Sequence, residues 1–181
     1  EGTNSVCIPW PTTTGGTAWH TRLSLDKEDG KARWKWEHYH RDTILPYGAD
    51  RLERMRQQSD RLVIVESEAD AVALWTGGIP AIATAGSDGW LGRWWKLLDG
   101  FRTVVVWLED AGSLELVRRI LASRQPSDPE VLLCHSLGHG AKDAGRLLAR
   151  HNGQGSVVLR QIVEQSALVR LVAEGDLLDE V

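Results

Sequence analysis

Residues 63–74 read VIVESEADAVAL, an apolar run that halts at Glu66, with carboxylates at every second position (Glu66, Glu68, Asp70) and small apolar residues after them. Consecutive apolar residues without alternation belong to a strand covered on both faces, as in a parallel sheet. Ala69–Trp75 then reads as a helix that closes at Gly77-Gly78. A buried strand feeding a helix is half of a β-α-β unit, and the downstream sequence repeats it. Pro80–Thr84 is strand-like, Trp90–Leu98 helical, Thr103–Leu108 (TVVVWL) the most apolar strand, Leu114–Ser123 helical, and Glu130–Cys134 a fourth strand. Ala141–Arg150 and Val157–Val172 read as amphipathic helices split by Asn152-Gly153-Gln154-Gly155. The alternation predicts an α/β fold with a parallel sheet, flanking helices and right-handed crossovers.

Upstream the texture differs. Residues 5–40 are rich in Thr, Trp and Val, with Gly pairs and a turn-like Lys27-Glu28-Asp29-Gly30, which suits short antiparallel strands. Arg33–His40 alternates, so a strand there places Trp34, Trp36, His38 and His40 on one face. Such a face could stack bases, but alternating aromatics usually point inward, and core packing is the expectation. Pro46-Tyr47-Gly48 connects to a charged helix near residues 49–58. The expected organisation is a β-rich N-terminal subdomain with its linking helix over residues 1–58, an α/β domain over 59–150, and a helical C-terminal extension over 151–181.

Composition narrows the function classes. The 181 residues are 42% hydrophobic, enough to fill a core. The net charge of −4 excludes a bulk basic surface, and the acidic excess lies after Arg61. Cys7 and Cys134 are far apart without a CxxC, so neither a zinc site nor a disulfide framework is expected, and a reducing cytoplasm fits best. No signal pattern opens the chain and no run approaches the roughly 18 apolar residues of a membrane helix, so no membrane partner is expected. Because the chain begins at Glu1 and still reads as helical at its end, it is expected to be a piece of a longer one.

Sites in parallel sheets form beyond the carboxyl ends of strands. Glu66 ends the first such strand, and Glu109-Asp110 end the third. If the two strands are neighbours, the acidic groups share one crevice, where a divalent cation, Mg²⁺ or Mn²⁺, relieves their repulsion and points to phosphoryl or nucleotidyl chemistry. Glu68 is expected to face water. Glu109-Asp110 also suit an acidic helix start, Lys142 reads either as a phosphate ligand or as a solvated lysine, and Asp143 either caps the next helix or approaches the cation. Trp90 and Trp94, four residues apart, read as a packing stripe. His135 and His139 share i,i+4 spacing but sit in a Gly-containing loop, so a zinc pair is not expected.

These residues resemble the toprim family, the catalytic module of bacterial and phage primases, topoisomerases and some nucleases. VESEADAVALWTGGIPAIATAG follows the family's first motif, an apolar strand, E-G-x-x-D and a helix ending at Gly, with Ser67 in place of the usual Gly. The second motif is a strand ending in D-x-D. Anchored on Ala111-Gly112, it puts Trp107 and Glu109 at the two acids; in the W-P-D-x-D register of phage and plasmid primases, Glu109 and Ala111 fall there. Either register keeps Glu109 and lacks one acid, for which Asp110 is a substitute. LGHGAKDAGRLLARHNG resembles the K-D-A element of phage and plasmid primases, with Arg146 replacing a second acid, and CIPW, GGTAWHTRLSL and ILPYGADRL resemble their β-rich lead-in.

The resemblance implies a toprim (Rossmann-like) sheet over residues 59–150 and Mg²⁺- or Mn²⁺-dependent primer synthesis from NTPs on a single-stranded DNA template. It implies Glu66 as general acid/base or metal ligand, and Asp70 and Glu109, helped by Asp110, as metal ligands. Nucleotide and nucleic-acid contacts fall to Lys142, Asp143, Arg22, Arg33, Lys35 and Arg41. A zinc ribbon and a helicase would be the attached domains. A toprim nuclease using the same carboxylates, or a degenerate module that binds nucleic acid or a protein, are the alternatives. A topoisomerase fits less well, because Tyr39 and Tyr47 are the only tyrosines and both lie in the lead-in.

Overall fold

The computed structural model describes residues 5–23, 34–136, 139–151 and 153–168. Strands β1 (Val6–Pro11), β2 (Thr17–Arg22) and β3 (Trp34–Glu37) form an antiparallel sheet in that order. A second sheet has the order β5-β4-β6-β7-β8. In it β4 (Arg61–Val65), β5 (Ala81–Ala83), β6 (Thr103–Leu108) and β7 (Glu130–His135) run parallel, and β8 (Ala167–Leu168) pairs antiparallel with β7. Helices α1 (Leu52–Gln58), α2 (Glu68–Thr76), α3 (Ser113–Ser123), α4 (Ala144–Arg150) and α5 (Gly155–Glu164) complete the described chain. The α/β class, the four-stranded parallel sheet flanked by helices and the small β-rich lead-in are as the sequence predicts.

The unbroken apolar run of β4 has a direct cause. Leu62 and Ile64 enter one core with Val104, Val106 and the α3 residues Leu116 and Ile120; Val63 and Val65 enter the other with Val105, Trp107, Leu74 of α2 and Leu159 of α5. Both faces are buried, so neither set of positions tolerates a polar side chain.

Strand order locates the crevice. From β4 the chain passes through α2 to β5 on one side, whereas β6 lies on the other side of β4 and continues into α3. Helix α2 packs on one face of the sheet and α3 on the opposite face. The chain therefore leaves the carboxyl ends of the adjacent strands β4 and β6 in opposite directions, which opens a crevice between them.

Three expectations change. Trp90–Leu98 is a 3₁₀ segment over Gly92–Leu98 rather than an α-helix. It is fixed from outside: Trp90 and Trp95 donate through Nε1 to Ser123 Oγ (3.0 and 3.1 Å) and Trp94 to the Ile44 carbonyl (3.2 Å). Strand β3 stops at Glu37 because His38 turns to φ 54°, so His38 and His40 leave the Trp34/Trp36 face. The final helix ends at Glu164, not Val172, and Ala167–Leu168 extend the sheet. The Lys27–Gly30 turn lies outside the described residues.

The lead-in is seated on the parallel sheet at two places. Tyr47 bridges Ala83 through paired backbone hydrogen bonds (3.0 and 3.1 Å), which covers the exposed edge of β5. Gly48, at φ 87°, continues this path, and a methyl group there would lie 2.7 Å from Trp75 Cζ2. The second seat is Glu68. Expected to face water, it is only 3% exposed: its Oε1 accepts from Trp10 Nε1 (2.8 Å) and pairs with His20 Nδ1. His20 in turn stacks on Trp34 and Trp36, at 4.2 Å from each ring. One helix residue thus holds all three strands of the lead-in. Removing one member of a buried pair strands the other, so Glu68→Ala is expected to cost about 3–5 kcal/mol in urea unfolding. Exposed Glu53→Ala serves as the control and should change stability by under about 0.5 kcal/mol.

Candidate active site

Glu66 follows the last residue of β4 and Glu109 the last residue of β6, at the crevice. A single hydroxyl organises both. Ser113, fully buried at the start of α3, donates to Glu66 Oε1 (2.5 Å) and accepts from the backbone N–H of Glu109 (3.0 Å). Asp70, 4% exposed on α2, is held at both oxygens: the Ser67 hydroxyl donates to Oδ2 and the Gly145 N–H to Oδ1 (2.9 Å). Ser67 also caps α2 at φ −123°, so the position that is Gly in the family's motif does not need a left-handed backbone here.

The carboxylates disturb one another. Burial raises the pKa of Asp70, against hydrogen bonds from Ser67, Gly145 and Glu109 that lower it. Glu109 is pushed up to about 8, first by burial, then by the charges of Asp70 and Glu66, with Lys142 only partly opposing them. Near neutral pH Glu109 is therefore mostly a neutral acid. Lys142 Nζ lies 3.8 Å from Glu109 Oε2 and 3.5 Å from Asp110 Oδ2. Asp110 is exposed, and its Oδ1 accepts from the Gly112 N–H (2.8 Å). Asp143 caps α4 by accepting from the Arg146 N–H (2.7 Å), and its charge also reaches Glu109. Past Lys142 opens a groove of about 740 Å³ with Arg146 and Arg150 in its wall.

Glu66, Asp70, Glu109, Asp110, Lys142 and Asp143 are thus brought together. Three basic residues expected from the lead-in, Arg22, Lys35 and Arg41, lie elsewhere. Lys35 pairs with Glu37 (2.9 Å) on the face of the small sheet opposite Trp34 and Trp36. Arg22 is on the Trp face, its guanidinium 5.1 Å from the Trp34 ring. Arg41 lines a separate recess, and Arg33 lies outside the described residues. Sequence reading missed Ser113 and the place of Arg146, which lines the groove with its guanidinium 3.5 Å from Asp143 Oδ2. A serine directly after Gly112, at the start of an expected helix, is the signal that could have found the first.

Among the described residues, no three His, Cys, Asp or Glu side chains form a group that could enclose a metal ion. The donors therefore do not make a closed protein cage. They do fit Mg²⁺, which commonly takes one or two carboxylates and leaves its other positions to water and phosphate. Glu66, with only Oε1 committed to Ser113, and Glu109 are the best placed to hold it; Asp70 would first have to give up Ser67 or Gly145.

No protein-family model and no curated protein sequence matches the chain. Solved structures do. A DNA primase domain from Pseudomonas aeruginosa superposes with a TM-score of 0.69 at 20% identity, over 91% of this chain and 51% of that one. A DnaG primase catalytic domain bound to single-stranded DNA gives 0.68 at 19%, over 91% and 52%. The chain has the fold of a DNA primase catalytic core. The zinc-binding and RNA polymerase domains of the Aquifex aeolicus primase give 0.65 at 17%, over 91% and 40%. The chain spans about half the length of the first two structures. In this primase-core fold, Glu66 and Glu109 occupy the two strand ends that flank the crevice.

The raised pKa of Glu109 sets the pH dependence of the metal-free protein. The folded state keeps a proton that the unfolded chain loses near the ordinary value of 4.5, so stability falls as pH rises from there to about 8, and the shift of Asp70 acts in the same direction. Thermal melting from pH 5 to 9 without divalent cations should show this decline, and Glu109→Gln should flatten it.

Proposed function

We propose that the chain is the catalytic part of a phage- or plasmid-type DNA primase, joining NTPs into an RNA primer on single-stranded DNA with Mg²⁺ or Mn²⁺. The observation that carries the reading is the pairing of Glu66 and Glu109 at the ends of adjacent parallel strands in a fold shared with primase cores. The subfamily rests on Tyr47-Gly48 and Lys142-Asp143-Ala144. A zinc-binding ribbon, a helicase and a cytoplasmic setting belong to the same proposal. The Aquifex structure includes a zinc-binding domain, and no described helix here is long and apolar enough to cross a membrane.

Chain extension joins the primer 3′-oxygen to the α-phosphorus of an NTP, breaks the bond to pyrophosphate and releases the hydroxyl proton. Glu66 and Glu109 would hold the divalent cation, which would supply charge neutralisation for the phosphates. Ser113 orients Glu66 through Oε1 and leaves Oε2 uncommitted, to serve either as a cation ligand or as the base that accepts the hydroxyl proton. Asp70 stays behind the edge, where its charge adds to the burial that raises Glu109. Lys142, Arg146 and Arg150 line a groove that suits the triphosphate.

The test is primer synthesis from NTPs on single-stranded DNA, run beside cleavage of labelled DNA and RNA. Synthesis is expected, with Glu66→Gln and Glu109→Gln each lowering it at least about 100-fold. Cleavage without synthesis would assign the carboxylates to a nuclease, and neither activity would leave a binding module.

A further inference from the structure

Between the antiparallel sheet and the turn after β5 lies a recess of about 190 Å³ that the acidic edge does not use. Trp36, Tyr39 and Trp94 supply its aromatic walls, Ala85 its backbone side, and Arg41 and Asp88 its charges. The volume is below the usual range for drug-sized ligands and suits a single flat ring. Trp36 and Tyr39 lie 4.8 Å apart with a 39° tilt, and Tyr39 remains 41% exposed, so aromatic surface is left uncovered at the mouth.

Two further features favour a base over a phosphate or a greasy side chain. The Arg41 guanidinium and the Asp88 carboxylate make no hydrogen bond or ion pair among the described residues, which leaves one donor and one acceptor for a base edge. The Asp88 charge also repels phosphate.

The recess is tied to the acidic edge by a constrained turn. Ala85 sits at φ 61°, a conformation that L residues rarely adopt. Around it, Thr84 N–H donates to the Val65 carbonyl (3.0 Å) and Gly86 N–H to the Glu66 carbonyl (2.7 Å); a methyl group at Gly89 would overlap the Thr84 carbonyl oxygen.

We infer that this recess holds one unpaired nucleobase, stacked on Tyr39 and Trp36 with its polar edge on Arg41 and Asp88, beside the backbone of Glu66. The inference rests on the reading that the chain handles single-stranded nucleic acid. The base belongs either to the template strand or to an incoming nucleoside triphosphate; the ligand chemistry is the same.

The two tyrosines allow a direct test by ¹⁹F NMR on the 3-fluorotyrosine-labelled chain without metal, with Tyr47, stacked on Trp75, as the internal reference. Short oligothymidylate, an abasic strand of equal length and NTP alone are the probes. Oligothymidylate is expected to shift the Tyr39 resonance, the abasic strand to leave it in place, and Tyr39→Ala to weaken oligothymidylate about tenfold without changing abasic binding. A shift with NTP alone supports the same pocket and assigns it to the incoming nucleotide. Equal shifts from both strands, or none from any probe, would overturn the inference. A Tyr39 shift in a chain that makes no primers keeps the pocket and removes only the polymerase reading.

Discussion

Burial and neighbouring carboxylates keep Glu109, at the open edge of the parallel sheet, mostly protonated at neutral pH. Glu66 and Glu109 extend from neighbouring strands, Asp70 stands behind them, and the arrangement raises Glu109 to about 8. A lysine alone does not relieve it, since Lys142 stays 3.8 Å from Glu109 and is shared with Asp110. Such an edge destabilises the fold above neutral pH unless something positive joins it. The crossing of the chain to opposite faces after β4 and β6 keeps that place open, so topology and electrostatics concern one crevice.

The same short stretch also holds the molecule together. Glu66 and Glu68 are two residues apart, yet one faces the crevice and the other is buried under the lead-in sheet against Trp10 and His20. The lead-in is thereby fixed to α2, while Tyr47 fixes it to β5. The Ala85–Gly89 turn joins the same region through the Glu66 carbonyl. Acidic edge and aromatic recess thus share a backbone.

The parallel sheet was legible because its strands are buried on both faces, which leaves a pattern in local sequence. The positions of Glu66 and Glu109 were legible for the same reason, as acids directly after such runs, whereas Asp70, on α2, was singled out by its spacing from Glu66. Glu68 was not, because its partners are 48 and 58 residues away and only tertiary packing brings them there. Ser113 escaped because a serine at a helix start is common, and its bond to Glu66 crosses from one strand end to the other. Within the lead-in, β-strand alternation sends Lys35 to the face opposite Trp34 and Trp36, and the backbone turn at His38 carries the chain on to Tyr39 and Arg41, neither of which is legible from proximity in sequence. The 3₁₀ segment holding Trp90, Trp94 and Trp95 carries helical spacing, but its indoles are fixed by Ser123 and Ile44.

A divalent cation that binds at this edge has to replace the proton that Glu109 keeps. Calorimetric titration of Mg²⁺ near pH 7, in two buffers of different ionisation enthalpy, measures that exchange directly. Release of about one proton per bound cation, falling towards none at pH 9 and disappearing in Glu109→Gln, is the result the account predicts. Binding without proton release, or no binding in the native chain, would contradict it.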